Sequence, residues 1–500
     1  MKKLTVKVLA LAALAGSCGV DGAAKEAIAD SLVNNYMRSS IYTIVLNSKE
    51  MNDYFEKETK EAMKGDDPLM AGIKSFTKTD EKRAANETEG SIFELPARMF
   101  PTLAIPNQFN DHNLAYRVIN FDSIRALCSD DEIAKHSTFK ASKTAAFGKF
   151  AKAAAGMSTK GNENNEVFDK SCGAVLNRFF NDKQIAANII GKWFDYDANN
   201  AQHWANLGNT VHNRASYNFT EADIKKAETD HAMKAKIEAT GFDMIDHTFV
   251  LATNLRFRSY QAVVNEAAAA ASAVGGMFGF GGLTTSVAKM GASAAAGDGY
   301  TIQAVTNLYK LKWNQDIATK IGEKIAANAS LEDLIKDGLC ELEFVGREKS
   351  QAQIRQSKFN TRPFSELVQR GVVRAIDASI ANLQGKHEVF RTAMPIIGGD
   401  GNGAIYAAIG TKEGLGEKDE YEILEANEDE NGKVTYKSVG TVKPVKGKIW
   451  DNAYGSDEEI GEDKDASAEA KEAVSRGYSE FKGKKGDFTG YYLRLKKKGK

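Results

Sequence analysis

Two stretches of this chain alternate apolar and polar positions with a period of two. In HTFVLATNLRF, Phe249, Leu251, Thr253, Leu255 and Phe257 fall on one side, the pattern of a strand with one buried face. In YTIQAVTNLYKLKW, Tyr309, Leu311 and Trp313 alternate with Lys310 and Lys312. These two segments are expected to pair as antiparallel neighbours. The run Ile41 to Leu46 (IYTIVL) is β-branched and apolar. It fits a buried strand, and periodicity leaves open a helix continuing from Ser31. Residues 340–345 (CELEFV) read as a further strand.

Helical spacing appears from Asp182, where Ile185, Ile189, Trp193 and Phe194 share a face. Thr220 and Asp223 have the spacing of a capping box, and Gly241 is placed to close that helix. Ser330 and Asp333 form a second box, opening a short helix that Gly338 ends. A long helix is predicted from Pro363, with Val368, Val372, Ile376, Ile380 and Leu383 as its apolar stripe. Residues 48–90 are highly charged and predict exposed helix and loop. Pro96, Pro101 and Pro106 force their segment to be extended. Residues 141–166, rich in Ala, Lys, Gly and Asn, predict a mobile connection or a weak surface helix.

After residue 386 the texture changes to short strands and tight turns. GGDGNG (398–403) precedes AIYAAIG, and Asn431-Gly432 separates YEILEA from VTYKSVG, a strong hairpin signal. The acidic stretch 456–472 is a loop or helix insertion, and GYYLRLK is the last strand. The expected class is α+β and multidomain, a helical α/β body with a C-terminal β-rich module, a small barrel or sandwich. The expected divisions are a signal peptide (1–17), an N-terminal α/β region (18–165), a central α/β region (166–362) with an Ala/Gly-rich insertion (262–298), a linking helix (363–385) and the β-rich module (386–500).

The start of the chain adds an address. Lys2 and Lys3 precede an apolar run from Leu4 to Ala15, broken only by Thr5 and Lys7. The run is too short to span a bilayer and ends in small residues, as a secretory signal does. Two cleavage readings stand. Ala13-Leu14-Ala15 suits ordinary signal peptidase. Ala15-Gly16-Ser17-Cys18 resembles a lipobox, which would make Cys18 the lipidated first residue, although Ala15 occupies the usual branched apolar place. The remaining cysteines, Cys128, Cys172 and Cys340, allow at most one disulfide. Without signal residues 1–17 the formal charge falls from -1 to -4, which argues against a nucleic-acid partner. The basic residues Lys496 to Lys498 and Lys500 read as a solvated tail.

Ala267 to Ala288 carries no charge and contains Gly275-x-x-x-Gly279, a spacing that lets helices approach closely in membranes. Gly275, Phe278, Gly279 and Phe280 are therefore candidate membrane or oligomer contacts. A low-complexity loop or a surface helix is the alternative.

Candidate chemistry is sparse. There is no GxSxG, HExxH, P-loop or GxGxxG after a strand, and the seven His residues lack paired metal-ligand spacing. Asp195-x-Asp197-x-Asn199 begins like a calcium loop but has Asn200 and Asn206 at its sixth and twelfth positions. No metal and no cofactor is implied. Asp111-His112-Asn113 could hold a general base, or could simply form a turn. Trp193, Trp204, Trp313 and Trp450 could stack on carbohydrate; Trp193 and Trp313 lie on apolar faces and suit a core. Asp30-Ser31-Leu32 and Asp122-Ser123-Ile124 match a short O-glycosylation acceptor pattern, with a capping Ser as the alternative.

The phrases NNYMRSSIYTIVLNS, IPNQFNDHN, MIDHTFVLATN and GKIWDNAY resemble those of a family of uncharacterised exported bacterial proteins. The order of parts resembles the curli-secretion and flagellar-assembly lipoproteins. It comprises a lipobox, an α/β body, a small-residue insertion between strands, and a turn-rich β module with GTKEGLG (410–416). That resemblance implies an assembly or export role, as an oligomer or with an envelope protein partner. The expectation is a non-catalytic cell-envelope lipoprotein, outer-membrane or periplasmic, held to the membrane by its lipid and serving assembly, transport or scaffolding. A surface polysaccharide- or partner-binding protein is the alternative, and a hydrolase using His112 the second.

Overall fold

The computed structural model describes residues 39–53, 99, 109–111, 118–137, 160–204, 225–231, 233–234, 244–259, 299–355, 364–428, 434–463 and 465–499. The strands are β1 (Ser39–Asn47), β2 (Phe109–Asp111), β3 (Val118–Asn120), β4 (Thr248–Ser259), β5 (Gly299–Leu311), β6 (Leu342–Arg355), β7 (Ala393–Gly399), β8 (Ala404–Ala407), β9 (Glu420–Glu428), β10 (Val434–Pro444), β11 (Ser479–Gly483) and β12 (Tyr492–Lys497). The helices are α1 (Phe121–Arg125), α2 (Asp130–His136), α3 (Lys160–Asp182), α4 (Ile185–Trp193), α5 (Gln315–Ala326), α6 (Leu331–Lys336), α7 (Phe364–Lys386), α8 (Ser456–Glu462) and α9 (Ala468–Ser475). The class is mixed α+β.

The first six strands form one sheet in the order β2-β1-β4-β5-β6, with β3 also on β1. The apolar run around Ile41 is a strand, not a helix. Ser40 to Leu46 pair in parallel with Thr248 to Asn254, so the N-terminal and central segments share this sheet. The expected antiparallel pair is present, from Phe249↔Lys310 to Ser259↔Tyr300. β6 runs well past the expected CELEFV, pairing through Arg355. Its second half, REKSQAQIR, is mostly polar, with Ala352 alone reaching the second core among the described side chains.

Helices cover both faces. On the first, Tyr42, Ile44, Leu46, Val250, Ala252, Tyr309 and Leu311 meet Cys172, Val175, Leu176, Phe179 and Phe180 of α3 and Ile185 and Ile189 of α4. On the second, Phe249, Leu251, Leu255, Phe257, Ile302, Ala304 and Leu308 meet the α7 stripe Val368, Val372, Ile376, Ile380 and Leu383. Each such buried aliphatic or aromatic side chain contributes about 1.5–3 kcal/mol. β4 is thus buried on both sides, correcting the expectation of one buried face. The second face also satisfies hydroxyls in pairs. Thr253 Oγ1 and Thr306 Oγ1 share a bond of 3.0 Å, and Ser379 Oγ donates to Thr306 Oγ1 at 2.7 Å.

α3 starts at Lys160, inside the stretch read as a mobile connection or a weak surface helix, so residues 160–166 take the helical alternative, and it runs 23 residues. Its first turns, KGNENNE, carry no apolar stripe, so only tertiary packing of the later turns marks it. The helix expected from Thr220 is interrupted. A turn follows Lys225–Ala227, and Asp230 accepts from the Met233 amide as a new cap. The Ser330–Asp333 capping box is formed as expected, and Gly338 follows the helix at φ 68°.

The remaining six strands close on themselves in the order β10-β11-β8-β7-β12-β9, with β9 also paired to β10. Met394, Ile396, Ile405, Ile423, Phe481 and Leu493 fill the ring. Closure leaves no unpaired edge among these strands. The acidic stretch forms helices α8 and α9. The GTKEGLG turn seats on α7, where a Cβ at Gly414 (φ 72°) would lie 2.6 Å from Ala381 Cβ. Arg374 Nε donates to the Tyr454 carbonyl at 2.9 Å and Arg391 Nη1 to the Lys496 carbonyl at 3.2 Å. The helix expected to link two parts is therefore also a layer on the sheet and a seat for the ring.

Candidate functional site

The first face of the sheet changes chemistry along its strands. Beyond the apolar positions Val250, Ala252 and Tyr309, the same face presents Asn254 and Arg256 of β4, Asn307 of β5, and Arg347 and Lys349 of β6. α3 lowers Asp169 into this patch. Arg256 Nη2 donates to Asp169 Oδ1 at 2.6 Å. Arg347 donates from Nη2 to the same oxygen, and from Nη1 to the Asp169 carbonyl at 3.3 Å. Lys349 Nζ reaches Asp169 Oδ2 at 3.3 Å. Asn254 Oδ1 accepts from Arg256 Nε at 2.8 Å, and the Arg256 guanidinium lies 5.3 Å above the Phe168 ring.

Arg256 and Asp169 are 2% and 3% exposed as side chains, Arg347 9%, and Lys349 52%. The cluster therefore runs from a sealed interior to a half-exposed lysine. Among the described residues its charges do not balance, because one carboxylate faces three cations. Burial alone would raise the Asp169 pKa; the charges of Arg256, Arg347 and Lys349 outweigh it and hold the carboxyl below its ordinary value. Burial lowers the pKa of Arg256 and of Lys349, with Asp169 opposing in both. Two buried polar atoms here have no partner among the described residues, Arg347 Nε and Asn307 Oδ1. Burial pushes the neighbouring Cys172 thiol up to about 11, so it is not a thiolate nucleophile at neutral pH.

A second buried ionisable group lies on the outer side of α7. Asp377 is 6% exposed and its Oδ2 has no partner. Burial pushes its carboxyl up to about 7, with Lys412 opposing and Glu413 adding to the rise. Glu413 is itself raised by burial, although it accepts from the Gly410 amide at 2.8 Å and from Asn452 Nδ2 at 2.9 Å.

Cys18, Gly275, Phe278, Gly279, Phe280 and His112 lie outside the described residues, as does Asn431-Gly432. Asp111 ends β2, paired with Ile41. None of the four tryptophans is an open stacking platform. Trp193 and Trp204 are buried, and Trp204 Nε1 donates to the Ala329 carbonyl. Trp313 and Trp450 are half-buried, and Trp450 Nε1 donates to the Val474 carbonyl. Asp197 accepts from the Asn199 amide as turn chemistry. Asp122 accepts from Ser48 Oγ and the Lys49 amide, and Ser123 is exposed with its amide bonded to Asn120. Cys128, Cys172 and Cys340 are free thiols. Among the described residues, no three His, Cys, Asp or Glu side chains converge as a metal-ligand set, and no helix is long and apolar enough to cross a membrane.

The ionic cluster was not legible in the sequence. Asp169 is 87 residues from Arg256 and 178 from Arg347. A faint signal existed: Asn254 and Arg256 occupy the alternate positions of a strand whose other face is apolar, which reads as a solvated side. No family model matches the chain, and no curated protein matches it.

Proposed function

We propose that this chain is a non-catalytic component of a bacterial cell envelope, anchored by a lipid on Cys18 at the outer membrane or in the periplasm. Its work is assembly, transport or scaffolding, as a homo-oligomer or with an envelope protein partner. The observation that supports this reading is the register of β4 and β5. Ser259 and Tyr300 are paired, so the segment 260–298 joins two neighbouring backbone positions, about 5 Å apart. The uncharged run 267–288, with Gly275, Phe278, Gly279 and Phe280, therefore belongs to an excursion between two paired strands. An uncharged run of this length, attached to a body already covered on both faces, is suited to contact lipid or another chain.

The test is a native mass spectrum of the full chain extracted from membranes in mild detergent, beside a variant lacking 267–288. A chain starting at Cys18 with added acyl mass, in an oligomer that the deletion reduces to monomers, is expected. An unmodified monomer starting near Gly16, identical with and without the deletion, would overturn the proposal.

A further inference from the structure

The strongest unassigned feature is the charge imbalance beneath α3. Arg256, Arg347 and Lys349 converge on one carboxylate, Asp169, which is the only one that any of them touches among the described residues. Among those residues their positive charges exceed it by two. Uncompensated charge in a low-dielectric interior is costly, and a purely structural brace would be at least as stable if built from hydrocarbon. The geometry is also incomplete. Arg347 is nine-tenths buried, yet its Nε points at no acceptor. A guanidinium uses Nε together with Nη in the forked grip of a carboxylate or phosphate. Lys349, half-exposed, stands where the cluster meets solvent.

We propose that Arg256, Arg347 and Lys349 form a binding site for a dianionic oxyanion, a phosphate or phosphomonoester group, which enters past Lys349 and neutralises the excess charge. Arg347 supplies the fork, Lys349 a point charge at the mouth, and Arg256, fixed by Asn254 and Phe168, the positive floor. Asp169 orients the two guanidinium groups and offsets part of their charge. The site stands independently of the envelope reading, since it uses only the sheet and α3.

The experiment is calorimetric titration of the full chain with inorganic phosphate at fixed ionic strength, with acetate as the monoanion control. Saturable one-to-one binding of phosphate, with acetate much weaker, is expected. Lys349→Met should weaken it at least tenfold, about 1.4 kcal/mol. Lys312→Met, just past the end of β5 in an exposed pair with Glu341, should leave it unchanged. Arg347→Lys, which keeps the charge but loses the fork, should weaken it too; if that variant fails to fold, Lys349→Met carries the test. Glycerol 3-phosphate in solution and vesicles bearing phosphatidic acid then separate a free phosphomonoester from a lipid headgroup. Absence of saturable heat, equal binding by Lys349→Met, or equal binding of acetate would each overturn the assignment.

Discussion

α3 and α7 are each 23 residues long and cover opposite faces of the same sheet, yet they bury opposite kinds of surface. α7 lays a continuous aliphatic stripe on β4 and β5, bonds the hydroxyls of Thr306 and Ser350, and pairs Lys386 with Glu348 of β6 one to one. α3 is apolar only over its later turns and carries a carboxylate into three cations. Stability alone accounts for the first arrangement. It does not account for the second, because buried ions lose hydration that their mutual attraction only partly restores. The lesson is that one face of this sheet holds the body together while the other spends part of its area on something besides cohesion.

The largest effect should come from Asp169→Asn, which keeps the shape and removes the carboxylate that Arg256, Arg347 and Lys349 share. Breaking a buried pair on one side costs about 3–5 kcal/mol, read by denaturant unfolding. Added phosphate should recover part of that loss if the cluster binds oxyanions. A change below about 1 kcal/mol would mean the arginines are solvated, and the contrast between the faces would disappear.

Next in size is a pH effect that separates the two helices. The folded-state carboxyl of Asp377 sits at about 7 against an ordinary 3.8. The folded chain therefore holds a proton there that the unfolded chain releases between about pH 4 and 7. This stabilising contribution is complete below pH 4 and lost as pH rises through 7. Asp377→Asn cannot ionise, so it should match wild type in acid and exceed it by about 2–4 kcal/mol at pH 8. Lys412 and Glu413 face the same carboxyl, and Glu413 titrates in the same direction. Asp169 works the other way. Its lowered pKa gives stability that is present above the ordinary carboxylate range and lost as pH falls. Acid should loosen the α3 side and alkali the outer side of α7. Unfolding midpoints of both variants from pH 3 to 9 would check the opposed slopes, and parallel slopes would refute them.

The same asymmetry explains what the sequence disclosed. The α7 stripe, the β4–β5 pair and the Ser330–Asp333 box are legible because an apolar period or a cap is a local signal. β1 was legible as a buried strand, with only its helix alternative left to remove. The second half of β6 and the first turns of α3 were not, since each is mostly polar in sequence and carries no local apolar period. Arg256 illustrates the difficulty. Its alternation with Leu255 and Phe257 describes a solvated face, and nothing within the strand announces that α3 covers it. The ring-to-α7 contact was equally hidden, because Gly414 and Ala381 meet only after the chain has turned back on itself.

The smallest effect tests the neutral face. Thr306 Oγ1 is shared by Thr253 and Ser379, at 3.0 and 2.7 Å. Thr306→Val keeps the volume and leaves two buried hydroxyls without that partner, so it should cost about 1–2 kcal/mol. Replacing all of them together, as Thr253→Val, Thr306→Val and Ser379→Ala, removes donors and acceptors at once and should come out close to neutral, well short of the summed single losses. Phosphate binding should be untouched in that triple variant, since these side chains lie on the far face of the sheet. A triple variant that instead lost several kcal/mol would mean the hydroxyl set is a cooperative network comparable in weight to the ionic one. The difference between the two faces would then be one of degree, and the excess charge under α3 would be the only part of the contrast still requiring a ligand.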